Sequence, residues 1–148
     1  MSDLQWFKTQ QRGKKTLVFD PLRGRYCTLT PEEEVRQKAL YLLVEHLDYP
    51  AGLIAVEYSI KVNELDKRCD AVVFGKDGHP LMILECKAAS VKLTQSTLEQ
   101  AVRYHSVLQP KFLMLYNGQE CYCFKSENGK LNALDHMPAY PELLDASC

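Results

Sequence analysis

A mixed α/β sheet with helices on its faces is the fold class this sequence predicts, and three observations carry it. Apolar runs of strand character occupy positions 53–60, 71–74, 81–84 and 111–116. Two segments of helical periodicity, 30–47 and 94–108, interrupt their order. A further pair of strand-like runs, 120–125 and 130–134, flanks Glu127-Asn128-Gly129, a strong hairpin turn signal. Short strands, helix, three strands, helix, strand and hairpin read as one mixed sheet covered by helices.

The chain has 148 residues, which suggests a single domain over 1–148 that buries a core without staples. Its expected core is about 30–118. An N-terminal β-hairpin extension, 1–29, precedes it, and a C-terminal hairpin and tail, 119–148, follow. Hydrophobic residues make up 46% and charged residues 25%, as in ordinary globular proteins. A net charge of -1 gives no global pull toward nucleic acid or anionic membrane, so such binding needs a local patch or a partner. No apolar run approaches a membrane span. The stretch 1–11 is polar apart from Trp6-Phe7 and does not read as a signal peptide. A cytoplasmic protein with no membrane partner is the expectation.

The elements follow from local chemistry. Positions 17–19 and 26–29 look like short strands turned by Asp20-Pro21-Leu22-Arg23-Gly24. Thr30 is a good helix N-cap, Pro31 suits the first helical position, and Glu33 completes a capping box. This helix should run to about Leu47 and stop before Tyr49-Pro50. Its apolar stripe is Val35, Ala39, Leu40, Leu43 and Leu47, and Glu32 and Arg36 fall inside it, four apart. They read either as a surface ion pair at the first turn or as a sign that the helix start faces a polar cavity. Thr94 caps a second helix, ended by Pro110. Its stripe is Leu98, Ala101, Val102, His105 and Leu108, with Gln100 and Tyr104 together on a flank outside it.

Six cysteines, Cys27, Cys69, Cys86, Cys121, Cys123 and Cys148, form no CxxC and read as reduced thiols in strand-like contexts. Cys121 and Cys123 share one strand face without the further ligands that structural zinc needs. His46, His79, His105 and His136 are scattered and show no metal-ligand spacing.

The informative constellation is Asp70 with Glu85-Cys86-Lys87. Asp70 opens the run Ala71-Val72-Val73-Phe74, and the triplet ends the run Leu81-Met82-Ile83-Leu84. Glu85 and Lys87, two apart in a strand, share a face. If the runs pair as a hairpin, Asp70 reaches the same end. Two carboxylates and an ammonium then converge, as in metal sites for phosphate chemistry. Mg²⁺ prefers hard oxygens and keeps several waters, so Asp70, Glu85 and the backbone carbonyl of Cys86 would serve as ligands, with Mn²⁺ as a substitute. Hydrolysis of a phosphodiester needs an activated water and stabilised phosphate charge, and a carboxylate-held divalent ion supplies both. Lys87 would position the water, lower its pKa or neutralise developing charge.

Asp70, Glu85-Cys86-Lys87 and Gln100-x-x-x-Tyr104 resemble the PD-(D/E)xK nuclease superfamily. The stretches TPEEEVRQKALYLLVEHLDYPAGLIAVEYSI, RCDAVVFGKDGHPLMILECKA and LEQAVRYHSVLQPKFLMLYNG are similar to the N-terminal nuclease domain of type I restriction enzyme R subunits. The resemblance covers about 30–118. It implies a restriction-endonuclease-like fold, with a central sheet of four to five strands flanked by helices, and Mg²⁺-dependent cleavage of DNA. It makes Asp70 and Glu85 metal ligands and Lys87 the catalytic lysine. Gln100 and Tyr104 match the motif that contacts substrate or steadies the site, and Glu32 and Arg36 match a polar pair of the first helix. Cys69 replaces the proline of the motif. Glu57 reads either as an extra carboxylate at the site or as a surface partner of Lys61 or Arg68.

The 148 residues contain no GxxxxGK[ST] loop for a motor. Partners implied are DNA, other restriction-modification subunits, and a second copy of the chain in a homodimer. Against the nuclease stands a catalytically silent DNA- or protein-binding module on the same fold.

Overall fold

A computed structural model describes residues 2–146. It contains a three-stranded sheet, a six-stranded sheet and three helices. The first sheet is an antiparallel meander of β1 (Thr9–Arg12), β2 (Lys15–Asp20) and β3 (Arg25–Thr28). The expected N-terminal hairpin therefore has a third strand. β1 is polar throughout, so no apolar alternation announced it. Asp20 shapes the β2–β3 turn by accepting from the amides of Leu22 (2.8 Å) and Arg23 (3.2 Å).

Helix α1 (Pro31–Tyr41) starts where the cap signals place it. Thr30 Oγ1 accepts from Glu33 N at 3.0 Å. The reciprocal arm of the expected capping box is not made, because the Glu33 carboxylate is drawn to Arg23, Arg36 and Gln37 instead. A wider π turn at Leu42–His46 carries the helix to nearly its expected end.

The main sheet has the order β4 (Ile54–Val62), β5 (Leu65–Phe74), β6 (Pro80–Cys86), β7 (Phe112–Tyr116), β8 (Cys121–Glu127), β9 (Lys130–Leu134). Only β6 and β7 are parallel, and helix α2 (Gln95–Leu108) makes the crossover between them. The C-terminal hairpin expected as an appendage is β8–β9, and β8 pairs along β7. The sheet therefore has six strands rather than four to five. Helix α3 (Tyr140–Ala146) follows it.

Both faces of the sheet are covered, which explains why β6 and β7 are continuously apolar. On one face Val35, Ala39, Leu40 and Leu43 of α1 join Ala71, Val73, Met82, Leu84 and Met114, together with Tyr140 and Leu143 of α3. On the other, Ala101 and Tyr104 of α2 join Ile60, Val72, Ile83, Leu113 and Leu115. Tyr104 is thus a core residue and Val102 is exposed, the reverse of the expected stripe. Among the described residues Cys27, Cys69, Cys86, Cys121 and Cys123 are free thiols; Cys148 lies outside them. No helix among the described residues is long and apolar enough to cross a membrane.

Candidate active site

The β5–β6 ladder runs through the pairs Val73–Met82, Val72–Ile83 and Ala71–Leu84. The next residues on the two strands are Asp70 and Glu85. Here the side chain of Asp70 takes over from the ladder, and its Oδ2 accepts from Cys86 N at 2.7 Å. Asp70 lies within a ten-residue strand, because β5 begins at Leu65 with a polar half that the apolar run did not reveal.

Three elements supply the surroundings. From α1, Arg36 Nη2 donates to Asp70 Oδ1 at 3.1 Å. From the end of β6, Lys87 Nζ donates to Gln100 Oε1 of α2 at 3.4 Å. Tyr104, one turn further along α2, is buried near Glu85 and Asp70. The structure thus brings Asp70, Glu85, Lys87, Gln100 and Tyr104 together.

Burial raises the Glu85 carboxyl far above its usual range; the charge of Asp70 raises it further, and Lys87 opposes both. Burial also raises Asp70, against the Cys86 amide and Arg36. Two carboxyls in one low-dielectric site do not both ionise easily without a cation. Glu85 is 8% exposed, and its Oε1 is buried with no hydrogen-bond donor. An orphaned buried acceptor beside a second carboxylate suits a hard divalent ion. Among the described residues no cluster of three or more His, Cys, Asp or Glu side chains forms a complete cage. Two carboxylates alone fit an ion that retains waters, as Mg²⁺ does.

Glu32 is exposed and does not pair with Arg36. The acidic partners of Arg36 are Glu33 (3.4 Å), Glu57 (3.5 Å) and Asp70. The expectation missed by one residue, or about 100° around the helix. Glu57, at φ 55 within β4, sits opposite Asp70, between the pairs Val56–Ala71 and Tyr58–Cys69. It bonds Arg68 at 3.3 Å, as one reading expected, and also Arg23 and Arg36 rather than Lys61. Burial acts to raise its carboxyl, but the guanidiniums of Arg36, Arg23 and Arg68 hold it below the usual range.

Arg23 is the residue that sequence reasoning missed. From the β2–β3 turn it reaches Asp20 (2.5 Å), Glu33 (2.7 Å) and Glu57 at once. Asp20 is fully buried, so Arg23 ties the small sheet to α1 and β4. Its only signal was an arginine inside an Asp-Pro turn.

The sequence matches the family described as the type I restriction enzyme R protein N terminus over residues 31–138. The chain belongs to that family. No curated protein matches it. Among solved structures it is similar to a fragment described as the HsdR subunit of a type I restriction enzyme from Vibrio vulnificus YJ016. That match has a TM-score of 0.60 at 20% identity and covers 81% of this chain and 25% of that one. The chain therefore spans about a quarter of that relative's length. It is also similar to a protein from Anabaena variabilis described as a nuclease, with a TM-score of 0.52 at 8% identity, covering 92% and 88% of the two chains. At these identities the likeness is one of fold. This R protein N-terminal domain has the restriction-endonuclease-like α/β fold, and β5, β6 and α2 supply the candidate site.

Proposed function

We propose that this domain is a divalent-metal-dependent DNA endonuclease of the PD-(D/E)xK type. The observation that carries the reading is the pair of half-buried Asp70 and buried Glu85, with Glu85 Oε1 left without a donor and Lys87 alongside. Asp70 and Glu85 would hold Mg²⁺, or Mn²⁺ in its place, with the Cys86 carbonyl as a further oxygen. When bound, the ion supplies an activated water and offsets charge on the phosphate.

The chain's own residues do the rest. Cys86 N and Arg36 hold the Asp70 carboxylate in one orientation. The Lys87 ammonium, steadied by Gln100, stabilises charge developing on a phosphoryl oxygen. Tyr104 and the end of β6 exclude water from one side of the carboxyl pair. DNA is the proposed substrate, and the other subunits of a restriction enzyme are the proposed partners. The cytoplasm, where such DNA lies, is the proposed location.

A silent DNA- or protein-binding module is the second reading. One observation favours it: Arg36 already neutralises Asp70. Calorimetry with Mn²⁺, followed by incubation with supercoiled plasmid and Mg²⁺ or Mn²⁺, tests both. Binding that Asp70→Asn and Glu85→Gln each abolish, together with plasmid nicking or linearisation, is the expected result. Binding without cleavage selects the silent module. Ion binding unchanged in both variants removes the metal site.

A further inference from the structure

Beside the carboxyl pair, between the three-stranded sheet and the start of α1, lies a cleft of about 560 Å³. Arg12, Lys15, Arg23, Arg25 and Arg36 line it, and its acidic residues are Glu33 and Glu57. Both of these are engaged by Arg23 and Arg36, and Glu57 also lies 3.8 Å from Arg25. The positive excess is local, since the whole chain has a net charge of -1.

One feature of the cleft is relieved when an anion occupies it. Arg12 and Lys15 stand directly opposite each other across β1 and β2, where like charges destabilise a sheet. Neither forms an ion pair among the described residues. Arg36 joins the cleft to the site, because it lines the one and binds Asp70 of the other.

The spacing of the cations selects a polymer over a single small anion. Arg25 pairs in register with Asp20, at the opposite end of β2 from Lys15. The two ends of β2 lie about 17 Å apart along the strand, a length that suits several successive phosphates of a DNA strand at ~3.4 Å each.

We propose that the β1–β3 sheet and the start of α1 form a seat for the DNA sugar–phosphate backbone, leading the strand to Asp70 and Glu85. The choice of DNA rests on the nuclease reading above. Three of its cations, Arg12, Lys15 and Arg25, are separable from the chemistry, because they lie in β1, β2 and β3, outside the segment 31–138 that matches the family.

The test is binding of a fluorescein-labelled 25-base-pair duplex across a salt series without divalent metal. Wild type, Asp70→Asn and the combined variant Arg12→Glu, Lys15→Glu, Arg25→Glu are compared. Wild type should bind, and Asp70→Asn at least as tightly. The combined variant should lose tenfold or more, and its log–log salt slope should fall by roughly 2–3, about 0.9 per lost phosphate contact. Should the combined variant not fold, Arg12→Gln with Lys15→Gln should lower the slope by roughly 2 on the same basis. Binding and slope unchanged from wild type in a folded variant, or no duplex binding by wild type, would overturn the seat. Salt-sensitive binding through these cations, with no cleavage once Mg²⁺ or Mn²⁺ is added to the bound duplex, would instead leave the seat standing and remove the nuclease reading.

Discussion

Arg36 Nη2 of α1 stands 3.1 Å from Asp70 Oδ1 of β5, so this carboxylate is already paired with a cation. The same guanidinium lies 3.4 Å from Glu33 and 3.5 Å from Glu57. It therefore ties the proposed metal ligand to the ion network around Arg23.

Arg36→Gln should tighten Mn²⁺ binding. A metal ion at Asp70 meets the Arg36 charge as a like neighbour, and removing that charge is worth about 1 kcal/mol, roughly fivefold, under water-like screening. Calorimetry at pH 8 measures it. Weaker binding would show instead that Arg36 serves chiefly to orient Asp70.

Metal-free stability should fall as pH rises above the ordinary carboxylate range. The folded-state pKa of Glu85 is raised by burial and by Asp70, and that of Asp70 by burial. In that window the folded protein holds more protons than the unfolded chain. The stabilisation is complete below the unfolded pKa and is lost as pH passes through the folded one. Thermal melts from pH 5 to 9 should show this decline, and Glu85→Gln should flatten it. Mn²⁺ should raise the melting temperature increasingly with pH, because it competes with protons for the pair. A melting temperature independent of pH in the wild type would contradict the placement of Glu85.

Lys87→Ala should leave the melting temperature almost unchanged, since its one described side-chain bond is a 3.4 Å contact to Gln100. Mn²⁺ binding should persist or tighten, because a like charge is removed. Plasmid cleavage should drop by ~10²-fold or more, as loss of one preorganised electrostatic group does. Cleavage at the wild-type rate would exclude Lys87 from the chemistry.

Gln100 and Tyr104 should separate in their effects. Gln100 is exposed and Tyr104 is buried in the core under α2. Tyr104→Ala should cost about 3–5 kcal/mol, as large aromatic truncations do, whereas Tyr104→Phe keeps the packing and tests the hydroxyl alone. Gln100→Ala with Tyr104→Phe should lower cleavage at an unchanged melting temperature. Equal cleavage by that pair would make both residues structural.

What the sequence by itself determined was local. Thr30 and Pro31 start α1, and Gln109, left-handed at φ 51, ends α2 just before Pro110. The convergence of Asp70, Glu85 and Lys87 follows from strand alternation and hairpin spacing, both of period two and hard to misread. The family was legible for the same reason, since its motif lies on these short stretches. Only the tertiary structure decided that Glu33 rather than Glu32 meets Arg36, that Tyr104 rather than Val102 is buried, and that β8 extends the main sheet. The miss at Glu32 is one residue, and one residue turns a helical side chain by 100°. The network of Arg23 with Asp20, Glu33 and Glu57 had no local pattern at all. Its members come from a turn, a helix and a strand far apart in the chain, and their charges meet only once the two sheets and α1 have packed.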